Sequence, residues 1–96
     1  MTNYEGVFII NSELATDVSK NVVAQLQDVV SKNGGRIDSL QEWGKRRLAY
    51  KIKKKQDGTY VILNFQLDSK VTKKIEQAFR LNDNILRYLL VNKDAL

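Results

Sequence analysis

The sequence predicts an α+β fold with the element order strand, helix, strand, strand, helix, strand. Three observations lead to it. Four segments are rich in β-branched and aromatic residues, two others carry apolar residues at three- and four-residue spacing, and turn-forming pairs stand at the junctions: Asn11-Ser12, Gly34-Gly35, Asp57-Gly58 and Asp68-Ser69. At 96 residues, with 43% hydrophobic and 28% charged side chains, the chain reads as one domain over residues 1–96. A chain of this size buries about two-thirds of the surface its unfolded form exposes, enough for a single core.

Tyr4 to Ile10 forms the first predicted strand, ended by Asn11-Ser12. Val18, Val22, Leu26, Val29 and Val30 then define a helix from about Asp17 to Asn33. Thr16 is the expected N-cap, Asp17 complements the positive end of the helix dipole, and Gly34 or Gly35 takes the left-handed conformation that stops it. From Arg36 to Lys53 the alternation changes phase, with Ile37 and Trp43 on one parity and Leu48, Tyr50 and Ile52 on the other. Gly44 lies at the change, so a β-bulge is expected there. Asp57-Gly58 reads as a hairpin turn leading into a strand from Thr59 to Leu67, whose Val61, Leu63, Phe65 and Leu67 face the core. Val71, Ile75, Ala78 and Phe79 mark a second helix ending near Leu81 or Asn82, and Ile85 to Val91 is the last strand. The absence of Pro leaves interior backbone N–H groups free to pair.

This order is two crossover units joined by a hairpin, the ferredoxin-like split βαβ arrangement (βαββαβ): a four-stranded antiparallel sheet with two helices on one face. The other face is then open. Parity places Val7, Ile9, Tyr60, Ile62, Leu89 and Val91 on it, rimmed by Arg47, Lys51, Lys53 and Arg87. An apolar face with a basic rim points to a partner.

The net charge of +5 has a local origin. Lys45, Arg46, Arg47, Lys51, Lys53, Lys54 and Lys55 fall in one acid-free segment, and the remaining residues carry 9 basic against 11 acidic side chains. Such clustering is the electrostatic footprint of an anionic partner, although lysines on a hairpin also protect it from edge pairing.

Composition excludes much else. With no Cys and no His there is neither a disulfide, a thiolate nucleophile nor an imidazole base, and the carboxylates show no paired spacing for shared-proton chemistry. The loop after the first strand, Asn11-Ser12-Glu13-Leu14, lacks the arginine cradle that acylphosphatases place there. Gly34-Gly35 follows a helix instead of preceding one and so offers no N-terminus to a phosphate. The expectation is a protein that is not an enzyme, with no cofactor, no metal and no small-molecule substrate. Neither a signal peptide nor a membrane span is read, no apolar insertion face accompanies the basic segment, and a cytoplasmic location follows. One alternative is a free-standing single-stranded RNA-binding module of the RNA-recognition-motif type. Its fold order matches, but Gly58 to Phe65 fits the expected octapeptide poorly and the central strands offer one open-face aromatic, Tyr60.

The run Trp43-Gly44-Lys45-Arg46-Arg47-Leu48-Ala49-Tyr50 resembles the signature of the bacterial small-subunit ribosomal protein S6 family. Tyr4-Glu5, the glycine pair after the first helix, Asp57-Gly58 before the strand with Tyr60, and Arg80 to Arg87 agree in order and spacing, over residues 2 to 93. The resemblance implies a ferredoxin-like fold and a non-catalytic role in the small ribosomal subunit. It also implies binding to the central domain of small-subunit (16S) rRNA together with ribosomal protein S18 as a heterodimer. Arg46, Arg47 and Arg87 match the family's basic positions and are the expected RNA contacts, with Lys45 by adjacency. Lys51, Lys53, Lys54 and Lys55 are added on charge alone, and Val7, Ile9, Tyr60, Ile62, Leu89 and Val91 are assigned to the partner protein.

Overall fold

Why the sheet buries one face follows from its central pair. A computed structural model describes residues 1–95. Strands β1 (Thr2–Asn11) and β3 (Lys55–Leu67) pair antiparallel from Thr2 opposite Leu67 to Asn11 opposite Gly58 without interruption. This register puts Tyr4, Phe8 and Ile10 on the same side as Val61, Leu63, Phe65 and Leu67, and all seven are buried. Helix α1 (Thr16–Lys32) lays Val22, Val23, Leu26 and Val30 on that side, and α2 (Thr72–Leu81) adds Ile75 and Phe79 to the same cluster. Both helices therefore cover one face. Strands β2 (Arg36–Ile52) and β4 (Ile85–Asn92) flank the pair, giving the antiparallel order β2-β3-β1-β4 of the expected ferredoxin-like arrangement.

Aromatic rings fill the middle of the core. Phe8 meets Phe79 edge-on at 4.9 Å between centroids, Phe79 meets Tyr88 at 5.7 Å, and Tyr4 stacks on Phe65 at 5.7 Å. Burying each such side chain contributes about 1.5–3 kcal/mol. Burial, and then the carboxylate of Glu76, pushes the Tyr88 phenol above its ordinary value.

The ends of α1 divide between agreement and correction. Thr16, expected as the N-cap, is the first helical residue, and Ala15 caps the helix with extended backbone and no side-chain bond. The turn before it is held instead by Asn11, whose Oδ1 accepts from the Glu13 N–H at 3.0 Å. At the other end Gly34 has φ +82°, its N–H donates to Ser31 O, and Gly35 N–H donates to Val30 O. That is a Schellman cap, which satisfies carbonyls the helix leaves free.

The hairpin turn is also corrected. Asp57-Gly58 lies inside β3, opposite Arg47 and Arg46, and the chain reverses at Lys53-Lys54 between the paired Ile52 and Lys55. Both lysines have positive φ, 49° and 67°, as a two-residue type I′ turn requires. The glycine has another purpose: a Cβ at Gly58 would stand 2.3 Å from Ile9 Cγ2. The expected bulge does occur. The β2 register shifts between Glu42 and Gly44, making Trp43 the extra residue, and Gly44 has φ +82°. Two further shifts, at Asp38 and between Arg47 and Ile52, had no sequence signal.

Gly58→Ala is expected to destabilise the fold by about 1–3 kcal/mol in urea unfolding, because the added methyl overpacks against Ile9. Combining it with Ile9→Ala recovers part of that loss. Strictly additive costs would refute the close approach.

Candidate nucleic-acid and partner interface

The extra residues of β2 bend the β2–β3 hairpin toward the open face, and polar ties hold its far end. Tyr50 Oη accepts from the Arg87 guanidinium of β4. Lys53 Nζ donates to Ile85 O at 3.5 Å, and Lys55 Nζ pairs with Glu13 at 2.7 Å. The tip of the hairpin is thus connected to β4 and to the loop after β1.

Beneath this arch lies an apolar cleft of about 320 Å³, lined by Val7, Ile9, Leu48, Ala49, Tyr50, Ile52, Tyr60, Arg87, Tyr88 and Leu89. Four of the six residues expected on the open face are brought together here: Val7, Ile9, Tyr60 and Leu89. Ile62, opposite Val7, faces the same way but is only 6% exposed, so it supports the surface without forming it. Val91, opposite Glu5 and half-buried, lies one step farther along, outside the cleft. Leu48 is the addition that sequence parity missed. It is buried, and the close packing at Gly58 includes its Cδ2, 3.6 Å from where a Cβ would be. A glycine within a strand, marking close approach of a neighbour, was the available signal.

The basic residues occupy both sides of the hairpin. By register Arg46, opposite Gly58, belongs to the open-face side, whereas Lys45, opposite Thr59, and Arg47, opposite Asp57, belong to the helix side. Arg47 is therefore not on the open-face rim where alternation had put it; the unsignalled extra residue at Asp38 inverts the phase once more than the expected bulge at Gly44 does alone. Lys45, Arg46, Arg47, Lys51, Lys53, Lys54 and Arg87 are exposed, and Lys55 is half-buried. Among the described residues the one ion pair is Lys55–Glu13, so the other seven have no carboxylate partner. Arg87 gives a guanidinium N–H to Tyr50 and, with five donors, retains others for an anion.

Lys55, by its hydrogen bond and then by its charge, holds the Glu13 carboxyl below the usual glutamate range. A depressed carboxyl pKa in the folded state favours folding above the unfolded value, and the benefit is lost as pH falls through the folded value. Among the described residues no group of His, Cys, Asp or Glu is arranged to hold a metal ion, and no helix is long and apolar enough to cross a membrane.

Comparison with known proteins gives one consistent result. The family model described as Ribosomal protein S6 matches residues 3–92. The small ribosomal subunit protein bS6 of Thermoanaerobacter pseudethanolicus is 39% identical over 94 residues, 98% of this chain and 99% of that protein. Its counterpart in Clostridium acetobutylicum is 37% identical over 92 residues, covering 96% and 97%. The crystal structure of 30S ribosomal protein S6 from Thermotoga maritima superimposes with a TM-score of 0.92 at 26% identity, covering 98% of this chain and 89% of that one.

In an NMR titration the Glu13 carboxyl should protonate below an ordinary glutamate, and Lys55→Gln should move it back up. The stability difference between the native chain and Glu13→Gln is expected at neutral pH and should disappear in acid, below the Glu13 pKa.

Proposed function

The chain belongs to the ribosomal protein S6 family and is a constituent of the small ribosomal subunit, and from that premise we propose that it is a non-catalytic RNA-binding component that docks on rRNA jointly with ribosomal protein S18. Its location is the cytoplasmic ribosome. The observation that carries the RNA reading is the set of seven cations left without a carboxylate partner among the described residues, gathered on an exposed hairpin and the adjoining β4. A folded chain that keeps such a cluster unneutralised is complementary to a polyanion.

Lys45, Arg46, Arg47 and Arg87 are the proposed phosphate contacts, with Lys51, Lys53, Lys54 and Lys55 strengthening the local field. Arg suits positions where a bidentate grip on phosphate fixes orientation. Contacts of this kind set register, and selectivity comes from RNA shape and from the partner. The apolar cleft supports the second half of the proposal: Val7, Ile9, Tyr60, Leu89 and Val91, backed by Ile62, are the surface offered to S18. Leu89, at 61% exposure, is its most accessible anchor.

Binding to a central-domain rRNA fragment, measured with and without S18 over a range of salt, tests both halves. Tight binding that requires S18 and weakens steeply with salt is expected. Each phosphate contact adds roughly −0.7 to −0.9 to the slope of log affinity against log salt, so neutralising Lys45, Arg46, Arg47 and Arg87 together should flatten it by about three units. An unchanged slope removes them from the interface.

Leu89→Asp should leave the fold intact, since the side chain is exposed, and weaken pairing with S18 roughly ten-fold or more. Normal pairing by that variant would take the cleft out of the partner interface.

A further inference from the structure

We propose that Trp43 is a stacking platform for an unpaired nucleobase of the bound RNA, an inference that rests on the RNA-binding reading above. Trp43 is the chain's one tryptophan, and it is 54% exposed. Leaving an indole outside the core forgoes a large burial gain and keeps its ring open to a partner.

The backbone presents this ring deliberately. Trp43 is the extra residue of the bulge between Glu42 and Gly44, and a bulge re-aims the side chain it carries. Gly44 beside it has φ +82°, and nothing lies within 4 Å of where its Cβ would be, so the space next to the ring's attachment point is open. The indole N–H donates to Gln41 Oε1 at 3.3 Å. That bond occupies the ring's edge and leaves stacking to its face. Among the described residues the ring–ring pairs involve Tyr4, Phe8, Phe65, Phe79 and Tyr88, and Trp43 has no aromatic partner.

Charge decides the class of occupant. Arg46 follows closely, exposed, on the same side of the sheet as Gln41, and without a carboxylate partner among the described residues. The adjacent acid, Glu42, stands opposite Val61 and shares the helix side of the sheet with Lys45, opposite Thr59, away from Arg46. An aromatic face beside an uncompensated cation matches a nucleotide: the base stacks on the indole while its phosphate meets Arg46. A purely apolar protein segment would use the ring and leave the cation unmet. Stacking also gives the edge strand what the phosphate contacts lack, a preference for RNA whose bases are splayed out of a helix.

The test uses the full chain with S18 and the central-domain rRNA fragment. Binding is read from the anisotropy of labelled RNA, and stacking is read separately from indole emission, with a Trp43→Phe sample as the background of the other components. The emission should be quenched at saturation. Trp43→Ala should weaken binding roughly ten-fold with an unchanged salt slope, because no phosphate contact is lost, and Trp43→Tyr should restore most of it. Full affinity of Trp43→Ala, or an unquenched indole on saturated complex, overturns the stacking role and leaves the RNA-binding reading standing. Emission that changes with S18 alone and no further with RNA assigns the ring to the protein interface and overturns it too. Failure of labelled RNA to bind removes both readings.

Discussion

Everything in this molecule is organised by the ten-residue ladder between β1 and β3. It runs without a bulge, and the large apolar residues on its covered side, from Tyr4 and Phe65 to Ile10, are withdrawn from water. Side chains alternate along a strand, so a slip of β3 by one residue would turn Val61, Leu63 and Phe65 toward solvent and Tyr60 under the helices. Losing several aromatic and aliphatic burials at about 1.5–3 kcal/mol each exceeds the whole stability of a typical small domain. The central pair is fixed for that reason, and departures from regularity are carried by the outer pairings.

Those departures make the functional surface. Strand β2 has 17 residues against 13 in β3, and its surplus appears as register shifts at Asp38, at Trp43 and between Arg47 and Ile52. Each surplus residue adds twist and bends the free end. The hairpin consequently reaches across β1 toward β4, where Lys53 and Tyr50 find partners in Ile85 and Arg87. A regular hairpin of equal strands would have left the open face flat and unbounded on that side. Here it becomes a cleft, closed by Leu48 and Ile52 and edged by cations.

The sequence made legible what depends on alternation and helical spacing. All four strands, both helices, the covered face and the bulge at Gly44 follow from patterns in which each residue's burial is dictated by period. The hairpin turn did not, because Asp57-Gly58 has the composition of a type I′ turn, while the residues that make the turn, Lys53 and Lys54, have no preference for positive φ. They adopt it because the register on either side and the ties from Lys53 and Lys55 require it, and those are long-range facts. Misplacing the turn carried a second cost: Gly58, read as a turn residue, could not be seen as the gap that lets Ile9 and Leu48 close on β3. The basic positions were legible as a cluster. Their division between faces was not, since the face each of Arg46 and Arg47 takes depends on the unsignalled extra residue at Asp38 as well as on the bulge at Trp43.

That division bears on how one short segment can serve two partners. Like charges a few ångströms apart repel by about 1 kcal/mol per pair in water, and the repulsion fades over roughly 10 Å at moderate salt. A segment with seven cations and no acid is therefore under strain in the free chain unless its side chains diverge or something holds its ends. Both occur. Alternation sends Lys45 and Arg47 to one side and Arg46 to the other, and ties to Glu13, Ile85 and Arg87 anchor the tip. The anchors that restrain the charge also wall the apolar cleft, because Tyr50 is at once a lining residue and the acceptor for Arg87. A polyanion gripping the outer side of the hairpin would relieve the remaining repulsion without disturbing that wall. Electrostatic and apolar docking can then proceed on adjoining surfaces of one anchored element, each stabilising the geometry that the other needs.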